Sequence, residues 1–219
     1  MVAVQSGDAK ELAELMGQDP GFDVNMDQNG EGDSLLHAAC LGGSNRYPVI
    51  PFLLAHPDIN ANVKDKNGLT PFYLACGKED PSCVRELLKD SRVKVNEPGN
   101  GGHTPLWCAA RYGHLDIIKW WIASGREMDL GTPGDDETDV IREAKTWGRT
   151  EVVTLLERFK SDAAQTRHAI RMELGLLDDL AGGIFALVVF VSDGLLHINA
   201  TATPAARFFS IATQLPLEL

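Results

Sequence analysis

The chain has little of what announces catalysis. It contains no G-x-S-x-G nucleophile turn, no H-E-x-x-H helix and no G-x-x-x-x-G-K phosphate loop, so no local motif places a nucleophile, a catalytic metal or a nucleotide. The expectation is a protein that is not an enzyme and needs no cofactor. Cysteine is scarce, at four residues, and Cys76 and Cys83 have no Cys/His pair at zinc-site spacing, so no metal site is expected. Basic residues are outnumbered: 20 Lys+Arg against 31 Asp+Glu give a net charge of −11, which repels a phosphate backbone, and no Lys/Arg run offsets it. Nucleic acid is not an expected partner. The most apolar run, Ile184 to Val191 (IFALVVFV), is far short of the about 20 residues that cross a bilayer, so no membrane span is expected. The beginning, MVAVQSGDAKELAEL, lacks a basic start, an apolar block and a small-residue cleavage site. An intracellular location, cytoplasmic or nuclear, follows as the expectation. Asn199-Ala200-Thr201 matches a glycosylation acceptor, but without a secretory signal it reads as a chance tripeptide in a loop.

What the sequence does have is self-similarity. The stretch DKNGLTPFYLAC, Asp65 to Cys76, returns upstream as GDSLLHAAC (Gly32 to Cys40) and downstream as GGHTPLWCAA (Gly101 to Ala110). Ser34, Thr70 and Thr104 share one slot, at intervals of 36 and 34 residues, and Leu36, Phe72 and Leu106 share another. A period of that size belongs to a stacked array, in which each unit buries its apolar face only against its neighbours. With 44% hydrophobic residues in 219, the chain has enough apolar side chain for such a core.

The T-P-L-H-x-A type of core resembles the ankyrin repeat. The resemblance covers residues 1 to about 159, and most specifically 29 to 125. It implies an all-α fold: an ankyrin-repeat solenoid of helix-turn-helix pairs linked by hairpin loops, carrying a C-terminal helical extension. The expected organisation is 1–28 as a partial or capping repeat, then repeats at 29–64, 65–98 and 99–133, a divergent repeat at 134–159, and the extension at 160–219.

Taken in order, Gly7-Asp8 resembles the family's inter-helix turn, with Leu12, Leu15 and Met16 at helical spacing after it and most of the first helix missing. In the first clear repeat the alanines 38 and 39 let neighbouring helices approach, and Pro48 and Pro51 predict an outer helix that starts late and is short. The second repeat places Thr70 to cap its inner helix and Pro71 at the first helical position, and its outer helix is predicted over Pro81 to Lys89. In the third, Gly113-His114 supplies the turn and Ile117, Ile118, Trp121 and Ile122 the outer helix. The fourth aligns if Asp139, Ile141, Ala144 and Gly148 take the Thr, Leu, Ala and Gly slots, after an acidic, turn-forming and exposed loop, Gly131 to Asp136. Cys40 and Cys76 replace the second alanine of their repeats.

Beyond Lys160 the period stops. Ala163 to Leu180 reads as an amphipathic helix interrupted by Gly182-Gly183, followed by the buried run 184–191, helix favoured over strand, and a short helix from Pro204 through Phe208-Phe209. Packing on the last repeat as a cap is one reading of this extension; a homo-oligomerisation element in 184–219 is the alternative.

Gly99 to Gly102 looks superficially like a phosphate cradle but falls in the hairpin slot held by Asp65 to Gly68 one repeat earlier. His37 holds the slot where family histidines bond backbone between repeats, while Tyr73 and Trp107 replace it further on, each keeping a ring donor. The resemblance implies a partner protein or peptide lying against the concave face of hairpin tips and inner helices. Carried onto this chain, that face offers Asp33, Asn67, Leu69, Gly101 and His103 at the tips, and Lys78, Arg111 and Tyr112 near inner-helix ends. Leu69 would be an aliphatic side chain at a solvated tip without a packing role, and Arg111 and Tyr112 are of types enriched in binding hot spots. The mixed acidic and aromatic character points to a basic or amphipathic partner. Asn62 and Asn96, eight residues after Leu54 and Leu88, have a spacing similar to ankyrin asparagines that are substrates of asparaginyl hydroxylases, which makes them candidates for hydroxylation.

Overall fold

A short polar side chain followed by an apolar run starts each inner helix, and the structure, a computed structural model, describes residues 4, 6–18, 21–42, 45–135 and 138–176. Among them run helices α1 (Ala9–Gln18), α2 (Leu35–Leu41), α3 (Ile50–Ala55), α4 (Pro71–Cys76), α5 (Ser82–Lys89), α6 (Pro105–Tyr112), α7 (Leu115–Ser124), α8 (Val140–Thr146), α9 (Thr150–Ser161) and α10 (Ala163–Glu173), with no strand among the described residues. The oxygens of Ser34, Thr70, Thr104 and Asp139 accept the N–H of His37, Tyr73, Trp107 and Arg142, so all four inner helices start on the residues that the repeat register assigned. Pro71 and Pro105 open α4 and α6 where no N–H bond is lost. Gly113 ends α6 at φ 81°, a left-handed conformation in which a Cβ would be strained.

Inner helices α2, α4, α6 and α8 stack in one row, and outer helices α3, α5, α7 and α9 in a second row behind it. Small buried residues, Ala39, Cys40, Ala75, Cys76, Ala109, Ala110 and Ala144, let the inner row pack closely. Large buried ones join the rows: the rings of Phe72 and Trp121 meet edge to face with centroids 5.0 Å apart. Truncating either ring to alanine costs about 3–5 kcal/mol, because the stack on both sides prevents the cavity from collapsing.

Local departures from the pattern have local causes. Arg46 to Val49 carry a 3-10 turn over Tyr47–Val49, and α3 then has only six residues with Pro51 in its first turn, the late, short outer helix that two prolines dictate. Pro81 caps α5 from outside rather than opening it. In α1 Leu12 is buried and Leu15 is 41% exposed. Helix α10 ends at Glu173, two residues before Gly175 turns left-handed at φ 70°, and the last part of the expected helix, 177–180, lies outside the described residues.

The molecule divides into two compact units, Met1–Ile170 and Arg171–Leu219. In the first, Thr166 and Ile170 are buried and the Arg167 side chain donates to the Ile122 carbonyl at 3.2 Å, so the start of α10 is fastened to α7. The oligomerisation segment 184–219, with Ile184 to Val191 and Phe208-Phe209, lies outside the described residues.

Candidate functional site

The hairpin tips are built by one aspartate and by bonds from tip to tip. Asp65 accepts the N–H groups of Asn67 (2.9 Å) and Leu69 (2.7 Å), which folds the turn, and the Lys66 and Asn100 N–H groups reach the Glu31 and Asn67 carbonyls of the preceding tips at 2.8 and 3.0 Å. The Gly99, Asn100 and Gly102 N–H groups are likewise spent, on His103, Asn67 and Gly99, so this glycine run is a turn and offers none of these three donors to an anion. Asn67 and Gly101 are exposed at their tips; Asp33 is half-buried and takes the Asn29 amide at 2.7 Å. Leu69 is half-buried, not fully solvated: its Cδ2 lies against Gly99 of the next tip, so the side chain has a packing role that the sequence reading did not give it.

His37 is fully buried and bridges two repeats. Its Nδ1 accepts the Ser34 N–H at 3.0 Å, which leaves the proton on Nε2 to reach the Leu69 carbonyl at 3.0 Å. The replacements behave differently. Tyr73 shares a hydrogen bond with Cys108, and burial, with that thiol beside it, pushes its phenol far above its ordinary value. Trp107 keeps a ring donor, but the donor is buried without an acceptor, so the polar link between repeats that His37 makes is not made there.

What Trp107 does instead is stack. His103 lies parallel on it at 3.7 Å, and the Arg111 guanidinium sits 5.2 Å from its ring on the same face of α6. Arg111 also sits 4.5 Å from the ring of Trp147, at the end of α8. Glu143 closes the set: its Oε1 accepts from Arg111 Nη1 at 2.9 Å and from Trp147 Nε1 at 2.8 Å. The result is a column of ring, ring, cation and ring, with the cation neutralised by a carboxylate that also fixes the last indole. Tyr112 lies beside it, 54% exposed, against the ring of His114 at 5.8 Å, and Trp147 is 48% exposed. Lys78 is exposed one repeat earlier.

The structure thus joins His103, Arg111 and Tyr112 in one neighbourhood and places Asp33, Asn67 with Leu69, and Gly101 on three successive tips. Trp147 and Glu143 were not singled out by the sequence reading. The signal was present: Trp147 follows the cap Asp139 at the same interval at which Tyr112 follows Thr104.

Asn25, Asn62 and Asn96 form a ladder along the inter-repeat segments. Each side chain spans the backbone of the next repeat, donating to the carbonyls of Asp58, Arg92 and Glu127 and accepting from the N–H groups of Asn60, Lys94 and Asp129. Both ends of each amide are engaged, which is the structural role of this slot. Among the described residues no group of His, Cys, Asp and Glu is arranged to hold a metal ion, and no helix is long and apolar enough to cross a membrane.

Comparison with known proteins agrees with this geometry. The family model for ankyrin repeats (three copies) matches residues 1–97 and 44–133. The chain is similar to SMC5-SMC6 complex localization factor protein 1 of Homo sapiens, 29% identical over 191 residues, which are 78% of this chain and 17% of that protein. It is similar also to Rabankyrin-5 of Homo sapiens, 30% identical over 103 residues, 47% of this chain and 9% of that one. A third relative is the serine/threonine-protein kinase TNNI3K of Mus musculus, 29% identical over 138 residues, 59% of this chain and 16% of the kinase. The chain therefore spans less than a fifth of the length of each of these relatives. With capped inner helices stacked in register and a family model matched over more than half its length, the chain belongs to the ankyrin-repeat family.

Proposed function

We propose that the chain is a non-enzymatic scaffold that binds a partner protein or peptide through the concave face of its repeats. The observation that carries this reading is the pair of exposed rings, Tyr112 and Trp147, beside a half-buried His103 and Arg111 and backed by the buried Trp107: aromatic surface open to solvent and braced from behind. Aromatic and arginine side chains held rigid before contact lose little entropy on binding, so their burial translates into affinity. The similarity to a localization factor of the SMC5-SMC6 complex supports a role in bringing one protein to another. Four cysteines that are buried as thiols rather than joined in disulfides support a reducing, intracellular setting.

Between a basic and an amphipathic partner, the amphipathic one is favoured. Three of the acidic side chains on this face are committed internally: Asp65 to its own turn, Asp33 to Asn29, Glu143 to Arg111 and Trp147. The test is capture of partners by the wild type and by a Leu69→Glu/Tyr112→Ala double variant. Loss of recovered partners in the variant is expected, and equal recovery of every partner by both would overturn the concave-face reading.

A further inference from the structure

Eight positions after three of the four inner-helix caps stands a side chain free of core packing: Lys78 after Thr70, Tyr112 after Thr104 and Trp147 after Asp139, while Ser34 is followed there by Gly42. All three are exposed. Because α4, α6 and α8 stand side by side, these residues form a single row along the array, one step per helix, and stacked helices are spaced by about 8–10 Å. The row is cation, phenol, indole. Its indole is held by Glu143 and Arg111 and its phenol lies on His114, so the two rings are presented as fixed platforms.

We propose that this row anchors an extended polyproline-II segment of a partner protein, with prolines over Tyr112 and Trp147 and an acidic side chain over Lys78, the three spaced at every third residue. The proposal rests on the concave-face reading and names its ligand chemistry. Pitch is the first argument. A polyproline-II helix has three residues per turn and rises about 3.1 Å per residue, so residues on one side recur about every 9 Å, the step of the stacked helices. A β-strand alternates faces at each residue and puts third neighbours on opposite sides. An α-helical ligand can match the step only at i and i+7, about 10.5 Å apart, and then brings the intervening i+3 and i+4 side chains onto the same face, which needs a broader groove than a row one side chain wide. Chemistry is the second argument. Aromatic side chains are the surface on which polyproline segments dock, since such a segment is already extended and loses little entropy. Lys78 sets the polar end. At physiological salt the net negative charge of the chain is largely screened beyond about 8 Å; Glu143 is paired with Arg111, and the exposed Glu79 beside Lys78 is the one carboxylate that the acidic side chain of the ligand has to compete with.

The experiment is a titration of the full chain, labelled with 15N, with a short synthetic peptide carrying one acidic residue three positions from one proline and six from a second. The peptide is made in both chain directions, with a scrambled isomer and a lysine-for-acid version alongside. Saturable shifts of the Trp147 indole N–H with one direction of the probe are expected. Affinity should fall by at least about tenfold in Trp147→Ala and in Tyr112→Ala. Lys78→Glu should reverse the preference between the acidic and lysine versions. Absence of saturable binding, equal binding of the scrambled isomer, or binding that Trp147→Ala leaves unchanged would overturn the proposal. So would saturable binding of the lysine version alone, or a Trp147-dependent self-association of the chain in place of peptide binding. In each of these cases the concave-face reading survives if partner capture is still lost in Leu69→Glu/Tyr112→Ala, and falls with it if capture is intact.

Discussion

His37 and Leu69 are 32 residues apart in the chain and joined by one hydrogen bond, from the buried imidazole to the backbone carbonyl of the next hairpin at 3.0 Å. The same ring accepts the Ser34 N–H, so a single side chain caps its own helix and fixes the position of the neighbouring tip. The tip it fixes carries Asn67 and Leu69.

Replacing His37 by alanine is expected to destabilise the array by about 3 kcal/mol, since a buried carbonyl and a buried N–H lose their partner and a cavity opens. Lys78→Ala, on the exposed row, should change stability by no more than about 0.5 kcal/mol. Urea unfolding of the two variants checks this; equal midpoints would show that the bridge to Leu69 is without consequence.

His114 makes stability depend on pH near neutrality. Burial of its ring lowers its pKa below the ordinary 6.5, against a smaller opposing effect of its hydrogen bond with the Gly77 backbone and of Glu79. The unfolded chain therefore takes up the proton first as pH falls, so stability present above the ordinary value of 6.5 decreases as pH falls through it and levels off below the lower folded-state value. His114→Gln should remove this part of the slope in urea midpoints measured across that range. An unchanged slope would assign it elsewhere.

The thiols should be silent in the folded protein. Burial pushes Cys108 up to about 11 and Cys83 up to about 12, and raises Cys40 and Cys76 well above their usual value. Alkylation at mild alkaline pH is expected to follow unfolding and to reach all four cysteines together. Rapid labelling of any one of them in the native state would contradict its burial.

We propose that Asn96 is hydroxylated in preference to Asn62. The bonds of Asn62 to Arg92 and Lys94 are 2.8 and 2.6 Å, those of Asn96 to Glu127 and Asp129 are 3.5 and 3.2 Å, and an enzyme that draws the segment out extended must break them. Mass spectrometry after incubation with an asparaginyl hydroxylase should find one added oxygen first on the peptide containing Asn96. Addition at Asn62 first would reverse the order, and no addition at either would end the proposal.

The repeat register was legible because each slot obeys a local rule. A cap oxygen must precede an inner helix, a proline fits its first turn, and a small residue must face the next helix; Ser34, Thr70, Thr104 and Asp139 satisfy the first rule whatever surrounds them. Even the short α3 follows from Pro48 and Pro51 alone. The sequence by itself thus determined the family, the phase of the repeats and the starts of the four inner helices. Only the tertiary structure decided what the exposed residues do, because that depends on neighbours a full repeat away. Leu69 has a packing role because Gly99 of the next tip lies against it. Trp107 loses its polar role because no acceptor comes within reach, and gains a stacking one because His103 of the hairpin tip and Arg111 one turn on in α6 both lie against its ring. Trp147 looked like the ordinary end of a divergent helix until Glu143 and Arg111 were seen to hold it upright beside Tyr112, since stacking brings residues 35 positions apart into adjacent places while leaving no trace in the local pattern of either.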